Sequence, residues 1–263
     1  MKGAKRMSHF TGKTVLITGG AGGIGLATAK VFKEHGANIA LVDLKEDVLK
    51  KEAEQAGLSD ALLVSADVTK EDEVEAFVTK TVEVYGQIDV FVNNAGINGD
   101  FKTITEGTVE NLMNVLNVNV AGVFLGLKHV MKQMMEKKSG VIVNIASNGG
   151  LLGAPGMGAY VASKHAVIAL NKTAALEGAP HNIRSVAVCP SGVDTQMMKS
   201  IETNSMPGSE ADARKQFEAS VPLNRYAKPT EIADLIKFLS SDEASFITGS
   251  YYRIDGGQGA TSV

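Results

Sequence analysis

The sequence predicts an α/β fold: a doubly wound parallel sheet of about seven strands, with helices on both faces, in a single domain. Three observations predict it. Short β-branched runs alternate with longer helical patterns along the chain. The runs are apolar throughout instead of alternating, as strands are when helices cover both faces of a parallel sheet. The first run also passes directly into a string of glycines and then a helix, the turn that brings a phosphate against helix amides.

The strand runs fall at residues 15–17, 39–42, 62–64, 90–92, 141–145 and 183–188, with a last strand and turn at 251–257. Amphipathic helical patterns lie at 25–35, 71–85, 108–137, 159–178 and 230–240. There is no internal repeat. Residues 195–226 are rich in Met, Ser and charge and are broken by Pro207-Gly208, so this stretch reads as an inserted substrate loop or lid.

Composition narrows the function classes. The chain has 263 residues, 44% hydrophobic and 21% charged, enough to bury one large core. A net charge of -3 and a pI near 6.0 offer no cationic footprint for nucleic acid or an anionic membrane. Cys189 is the only cysteine, which excludes an intrachain disulfide and a cysteine metal cluster and fits a reducing compartment, the cytoplasm. Lys2, Lys5 and Arg6 resemble the start of a signal sequence, but the following apolar run is broken at Gly19 and Gly20, so residues 1–12 read as a loose tail before a domain at 13–263. No stretch approaches the length of a membrane-spanning helix. The five histidines show no metal-ligand spacing with carboxylates, and no metal is expected.

Residues 15–25 read VLITGGAGGIG. They satisfy GxGxxG at Gly20, Gly22 and Gly25 and also GxxxGxG at Gly19, Gly23 and Gly25, so the spacing leaves the register open. Asp43 follows the next strand, where a carboxylate accepts hydrogen bonds from adenosine ribose hydroxyls. That pairing makes the fold Rossmann-type and favours NAD over NADP, because Asp43 repels a 2′-phosphate and Leu44, not arginine, follows it. Lys45 is the one opposing charge.

At Tyr160-Val-Ala-Ser-Lys164 the chain resembles the short-chain dehydrogenases/reductases, over essentially residues 13–257. The family's TGxxxGxG motif stands as Thr18, Gly19, Gly23 and Gly25, with Ile24 between the last two, and the resemblance settles the register. The chemistry has its own logic. Reducing a ketone by hydride leaves an alkoxide to be protonated, and the reverse reaction needs a base. A tyrosine acting near pH 7 requires roughly 4 kcal/mol of stabilisation for its phenolate, which a nearby cation can supply. Tyr160 and Lys164 are four apart in a helical stretch and so share a face.

By resemblance, Tyr160 is the general acid/base, Lys164 its partner and a cofactor contact, Ser147 the hydroxyl that holds the substrate oxygen, and Asn119 the residue that holds a water beside the lysine. Asp67 and Val68 then meet the adenine, Asn94 of the NNAG run contacts the adenosine ribose, and Val193 and Thr195 hold the nicotinamide carboxamide. Two departures bear on the path of the nicotinamide loop: Ser191 stands where the family has glycine, and the stretch 183–188 lacks the family's asparagine. His165 is adjacent to Lys164 and points elsewhere on the helix, which makes it structural.

The reading is thus an NAD-dependent dehydrogenase or reductase acting on a secondary alcohol, cyclic, steroid-like or aliphatic, and its ketone. The alternatives are a silent NAD-binding sensor, which would lack the reacting groups, and an epimerase or dehydratase, whose relatives are patterned differently. The substrate pocket is expected from 149–157, 98–100 and the segment starting Gln196-Met197-Met198. The resemblance implies a homotetramer assembled through the helices at 108–137 and 159–178.

Overall fold

The computed structural model describes residues 10–260. Seven strands form one parallel sheet in the order β3-β2-β1-β4-β5-β6-β7. They are β1 (Thr14–Thr18), β2 (Asn38–Asp43), β3 (Leu62–Ser65), β4 (Val90–Asn93), β5 (Gly140–Ile145), β6 (Ile183–Pro190) and β7 (Tyr251–Ile254). Nine helices accompany them in the described chain: α1 (Gly23–Glu34), α2 (Glu46–Gln55), α3 (Glu71–Tyr85), α4 (Val109–Leu116), α5 (Gly122–Lys137), α6 (Gly158–Gly178), α7 (Gln196–Ser205), α8 (Glu210–Ala219) and α9 (Pro229–Ser240).

The continuous apolar runs are explained by two cores. Successive strand residues point to opposite faces. Leu16, Phe91 and Ile142 pack on one side with Phe77, Val130 and Val167 from α3, α5 and α6. Val15, Ile17, Val92 and Val143 pack on the other with Phe32, Leu49 and Ile236 from α1, α2 and α9. Strand order reverses at β1, which lies between β2 and β4, and the carboxyl ends of β1 and β4 therefore open a crevice.

Local sequence sets the helix ends. α3 starts with Glu71, Asp72 and Glu73, which complement the positive end of the helix dipole, and stops at Gly86, whose φ of 81° few other residues adopt. The helical pattern at 108–137 is not one helix. Thr108 caps α4 by accepting from the Asn111 amide, a π turn at Asn117–Ala121 interrupts the pattern, and α5 follows. The π turn inserts an extra residue without breaking the apolar face, so periodicity reads straight through it.

Three further expectations change. Helical periodicity misses α2, which buries only Leu49 and Ala53, too faint an apolar stripe to stand out. The stretch 195–226 is not an open loop: α7 and α8 fill most of it, separated at Pro207-Gly208. Of the tail expected at 1–12, residues 1–9 lie outside the described residues, while Phe10 is buried and packs edge-on to Phe32 at 4.7 Å, so the folded domain starts earlier than residue 13.

The position of the family's asparagine is taken by Val186, buried in the core shared with α1 and α9, while its neighbour Ser185 joins a buried polar network on the other face of the sheet. Ser185 Oγ donates to Asn171 Oδ1 (2.8 Å) and accepts from Asn144 Nδ2 (3.2 Å), and Asn144 Oδ1 accepts from Asn93 Nδ2 (3.3 Å). A fully paired network of this kind ties β4, β5, β6 and α6 together. Ser191 is not among the residues of positive φ, so its side chain costs no backbone strain where the family has glycine. Among the described residues, no helix is long and apolar enough to cross a membrane.

Candidate active site

The glycine turn lies in the crevice beyond β1. Gly19 has φ 65°, and a Cβ there would meet Asn94 Nδ2 at 2.8 Å, so both backbone conformation and space demand glycine. A Cβ on Gly25 would collide with the Gly19 carbonyl, and one on Gly23 would stand 2.7 Å from Thr195 Cγ2. Gly20 and Gly22 have negative φ. A Cβ on Gly20 would nevertheless meet Leu41 Cβ at 2.8 Å, so the turn needs glycine at Gly20 for its packing on β2 as well as at Gly19, Gly23 and Gly25 for its shape and for the approach of the Thr195 loop.

A cleft of about 390 Å³ runs from this turn across the ends of β2 and β3, lined by Gly23, Ile24, Asp43, Lys45, Asp67 and Val68, among others. α1 opens into it with Gly22 as cap and no side chain satisfying its first amides, the arrangement that accepts a phosphate. Asp43 also braces the fold. Its carboxylate accepts from the Ala21 amide (2.9 Å) and the Leu44 amide (2.8 Å), which pins the glycine turn to β2. Asn94 does the same from β4, donating through Nδ2 to the carbonyls of Thr18 (2.9 Å) and Gly19 (3.1 Å). Asp67 accepts from the amide and the hydroxyl of Thr69. Partial burial raises its pKa, but these bonds and Lys70 outweigh it and hold the carboxyl below its ordinary value. Among the described residues, no arginine lines the cleft.

A second cavity of about 250 Å³ adjoins the first, and both share Ile24, Asn94, Gly96, Thr195 and Met197. Ser147, Tyr160 and Lys164 line it together. Ser147 caps a short turn after β5, its Oγ accepting from the Gly149 amide at 3.1 Å. Tyr160 and Lys164 project from one face of α6, with Lys164 Nζ 5.6 Å from the ring centroid and donating to the Ile145 carbonyl at 2.8 Å. A Cβ at Gly149 would lie 3.4 Å from the Tyr160 ring, so the chain passes closely over the phenol.

Electrostatics differ from expectation. Burial is the largest influence on Tyr160 and raises its pKa, with hydrogen bonding to Ser147 acting in the opposite direction. Burial pulls Lys164 down to about 8. The lysine therefore does not by itself bring the phenol towards neutrality, because desolvation disfavours the charged form of both groups. Cys189, beneath this pair, is pushed up to about 11 by burial and is inert at neutral pH.

Asn119 lies in the π turn and is fully buried. Its side chain brackets Ile97, accepting from the amide and donating to the carbonyl, each at 2.8 Å, and also donates to Ser163 Oγ (3.0 Å). The side chain is thus occupied by protein, as in an asparagine that braces backbone. A Cβ on the intervening Gly96 would be 3.1 Å from Asn119 Oδ1 and 3.5 Å from Lys164 Nζ, which fixes how near the two residues come. Val193 pairs with Ala227 in an isolated bridge, and Thr195 caps α7 by accepting from the Met198 amide.

The profile of the enoyl-(acyl carrier protein) reductase family matches residues 19–258. Levodione reductase of Leifsonia aquatica is 39% identical over 257 residues, 96% of each chain. The chain belongs to the short-chain dehydrogenase/reductase (SDR) family. A crystal structure of levodione reductase matches this SDR with a TM-score of 0.93, covering 96% of this chain and 100% of that one at 39% identity. The 3-oxoacyl-(acyl-carrier-protein) reductase FabG of Thermotoga maritima is 42% identical over 253 residues, 95% of this chain and 98% of the relative. NAD+-bound xylitol dehydrogenase matches with a TM-score of 0.89 at 37% identity, covering 94% and 99%.

SDR proteins are oxidoreductases that bind nicotinamide dinucleotides, and this chain fits that group: the uncapped start of α1, the glycine turn and the carboxylate ending β2 line one cleft. Sequence reasoning places Met157, Met197 and Met198 on the substrate cavity, where they lie, but also residues 98–100, which do not line it. Asn98 instead donates to Ser200 Oγ and braces α7. Ile201, Phe217, Ser220, Val221 and Tyr226 also line the cavity, from within the stretch 195–226 expected as the substrate loop, whereas Gln258, in the turn after β7, is not expected there from the sequence. Ile201 belongs to α7, Phe217 to α8, and Ser220, Val221 and Tyr226 to the segment that follows α8.

Proposed function

We propose that this SDR is an NAD-dependent oxidoreductase that transfers a hydride between a secondary alcohol and its ketone, with Tyr160 as general acid/base. The observation that carries the reading is that Ser147, Tyr160 and Lys164 line one cavity continuous with the glycine-turn cleft. When bound, the nicotinamide supplies or accepts the hydride. Gly19, Gly23, Ile24 and Gly25 would hold the pyrophosphate, Asp43 and Asn94 the adenosine ribose, Asp67 and Val68 the adenine, and Val193 and Thr195 the carboxamide.

In oxidation Tyr160 takes the hydroxyl proton from the alcohol as its C–H hydride departs, and in reduction it returns a proton to the carbonyl oxygen. Ser147 donates to that oxygen as charge develops on it. Lys164 contributes positive charge beside the phenolate, and Asn119 fixes the backbone at Ile97, next to the Gly96 that approaches the lysine, with a water held beside the lysine in the family manner. Asp43 and the lack of arginine among the described residues of the cleft support NAD, and Lys45 is the countervailing charge.

Cavity size and walls support the substrate class. About 250 Å³ is at the small end of ligand pockets and suits a single ring or short chain better than a steroid. The walls at Met157, Met198, Ile201, Phe217 and Val221 are apolar and adaptable. The relatives' names point the same way: levodione reductase takes a dione and xylitol dehydrogenase a polyol. A 3-oxoacyl thioester is the second reading, favoured by the 42% identity to FabG.

The reading includes a cytoplasmic location and a homotetramer. Val109, Met113, Phe124 and Leu176 leave apolar surface exposed on α4, α5 and α6, which supports self-association through those helices. The deciding experiment is NADH formation from NAD, and NADPH from NADP, across cyclic, aliphatic and steroid alcohols, with a 3-oxoacyl thioester in the reverse direction. Turnover of a small alcohol with NAD supports the proposal. Cofactor binding without any turnover would replace it with the sensor, and exclusive turnover of the thioester would replace it with the second reading.

A further inference from the structure

The polar groups of the substrate cavity fall into separate sets. Ser147, Tyr160 and Lys164 make the reacting end, Asn94 and Thr195 lie where the cavity meets the glycine-turn cleft, and Asn148, Ser191, Ser220 and Gln258 interrupt walls built from Met and other apolar side chains. Gln258 is held by its neighbours in a fixed orientation. Its Oε1 accepts from Asn148 Nδ2 at 3.2 Å, and its Nε2 donates to Ser220 Oγ at 3.0 Å.

The orientation originates at Asp255. Its carboxylate accepts from Asn148 Nδ2 (2.9 Å) and from the amides of Gly257 and Gly259. Partial burial raises its pKa, but these bonds outweigh it and keep the carboxyl below its ordinary value. An ionised carboxylate only accepts, so Asn148 must turn Nδ2 towards it, even though this leaves Asn148 Oδ1 buried without a partner. Both Nδ2 hydrogens of Asn148 are then committed, one to Asp255 and one to Gln258. Gln258 must therefore present Oε1 to Asn148 and Nε2 to Ser220. The Ser220 hydroxyl donates to the Phe217 carbonyl at 2.7 Å, and so it receives the Gln258 N–H as acceptor. An amide nitrogen carries two hydrogens, and the second Nε2 hydrogen is available to a ligand in the cavity.

We propose that Gln258 determines specificity by donating this hydrogen bond to a second oxygen of the substrate, which makes the preferred substrates small dioxygenated compounds: cyclic diones, hydroxyketones and the matching diols. The proposal rests on the alcohol/ketone reading above and assigns its substrate class. One oxygen reacts between Ser147 and Tyr160, the carbon skeleton lies on the methionine wall, and the other oxygen meets Gln258. A lone ketone offers this amide hydrogen no acceptor.

The test measures kcat/KM with NADH for para-cyclohexanedione and for cyclohexanone, in the wild-type protein and in Gln258→Leu. The wild type is expected to prefer the dione at least about tenfold, and Gln258→Leu to erase most of that ratio, the size of effect that loss of one neutral hydrogen bond produces. Should the leucine variant not fold, Gln258→Glu keeps the chain length while removing the donor at pH 7, and the same loss of preference is expected. A purely structural latch would lower both rates in proportion and leave the ratio intact, which overturns the proposal. Turnover of cyclohexanone by the wild type without preference for the dione also overturns it while leaving the general reading standing. Binding of NADH with no turnover of either ketone or of the wider alcohol panel defeats the general reading and this inference with it.

Discussion

Lys164 Nζ lies 5.6 Å from the centre of the Tyr160 ring and gives a hydrogen bond to the Ile145 carbonyl. Lys164 is buried and Tyr160 half-buried, and burial acts on them in opposite senses, raising the phenol and lowering the ammonium. Desolvation thus opposes the charged form of each, so both respond to any charge brought near them.

Tyr160→Phe retains the ring that the Gly149 chain crosses and removes only the hydroxyl. Turnover is expected to fall by about 10²–10⁴, the usual worth of a general acid or base, while NADH still binds. Steady-state rates alongside NADH fluorescence titration check this. Retained turnover refutes the role given to Tyr160.

Lys164 carries a stability signature. Its folded pKa, about 8, is below its ordinary 10.5, so between those values the unfolded chain binds the proton and the folded chain does not. Stability therefore rises with pH across that window relative to Lys164→Met, and the burial cost is fully present below about pH 8. The displacement corresponds to roughly 3 kcal/mol at its upper limit. Denaturant titrations of both proteins from pH 7 to above 10 read the difference, and parallel curves would show that Lys164 titrates as it does in water.

Asp43 both braces the glycine turn and sets the charge at the ribose end of the cleft, and a substitution separates the two roles. Asp43→Ala removes the acceptor for the Ala21 amide and the charge that disfavours a 2′-phosphate. The NAD to NADP ratio of kcat/KM is expected to fall by at least about tenfold, the scale of one charge-assisted bond or repulsion. An unchanged ratio with a lower melting temperature would assign Asp43 to the glycine turn alone.

Tyr226→Phe tests the packing of 195–226. The Tyr226 hydroxyl donates to Glu202 Oε1 at 2.8 Å, Glu202 is only 6% exposed, and the Arg214 guanidinium stacks 4.8 Å from the Tyr226 ring. Removing the hydroxyl strands the carboxylate, at a cost of about 1–3 kcal/mol, which calorimetry reads as a fall of roughly 2–10 °C. The double variant with Glu202→Leu should recover part of the loss, because it removes the orphaned charge as well.

Much of the architecture was legible because its signals are local. Strand runs, the glycine turn and the long helices each follow from residues close in sequence, and the boundaries read from them match the strands and most of the helices to within a few residues. What escaped had weak or ambiguous local signals. α2 shows its core only Leu49 and Ala53, and the π turn at Asn117–Ala121 preserves the apolar face while changing the helix.

The sequence by itself determined the fold class, the family and the residue types that carry proton and phosphate chemistry, because spacing along a strand, a turn or one helix face fixes them. The tertiary structure alone decided the substrate cavity. Asn148, Ser220 and Gln258 meet only once α8 and the turn after β7 fold over the end of the sheet, and the burial that moves Tyr160 and Lys164 in opposite directions belongs to the packed core. Hydrogen-bond orientation and desolvation depend on what surrounds a group in space, and for these residues the surroundings come from segments far apart in the chain.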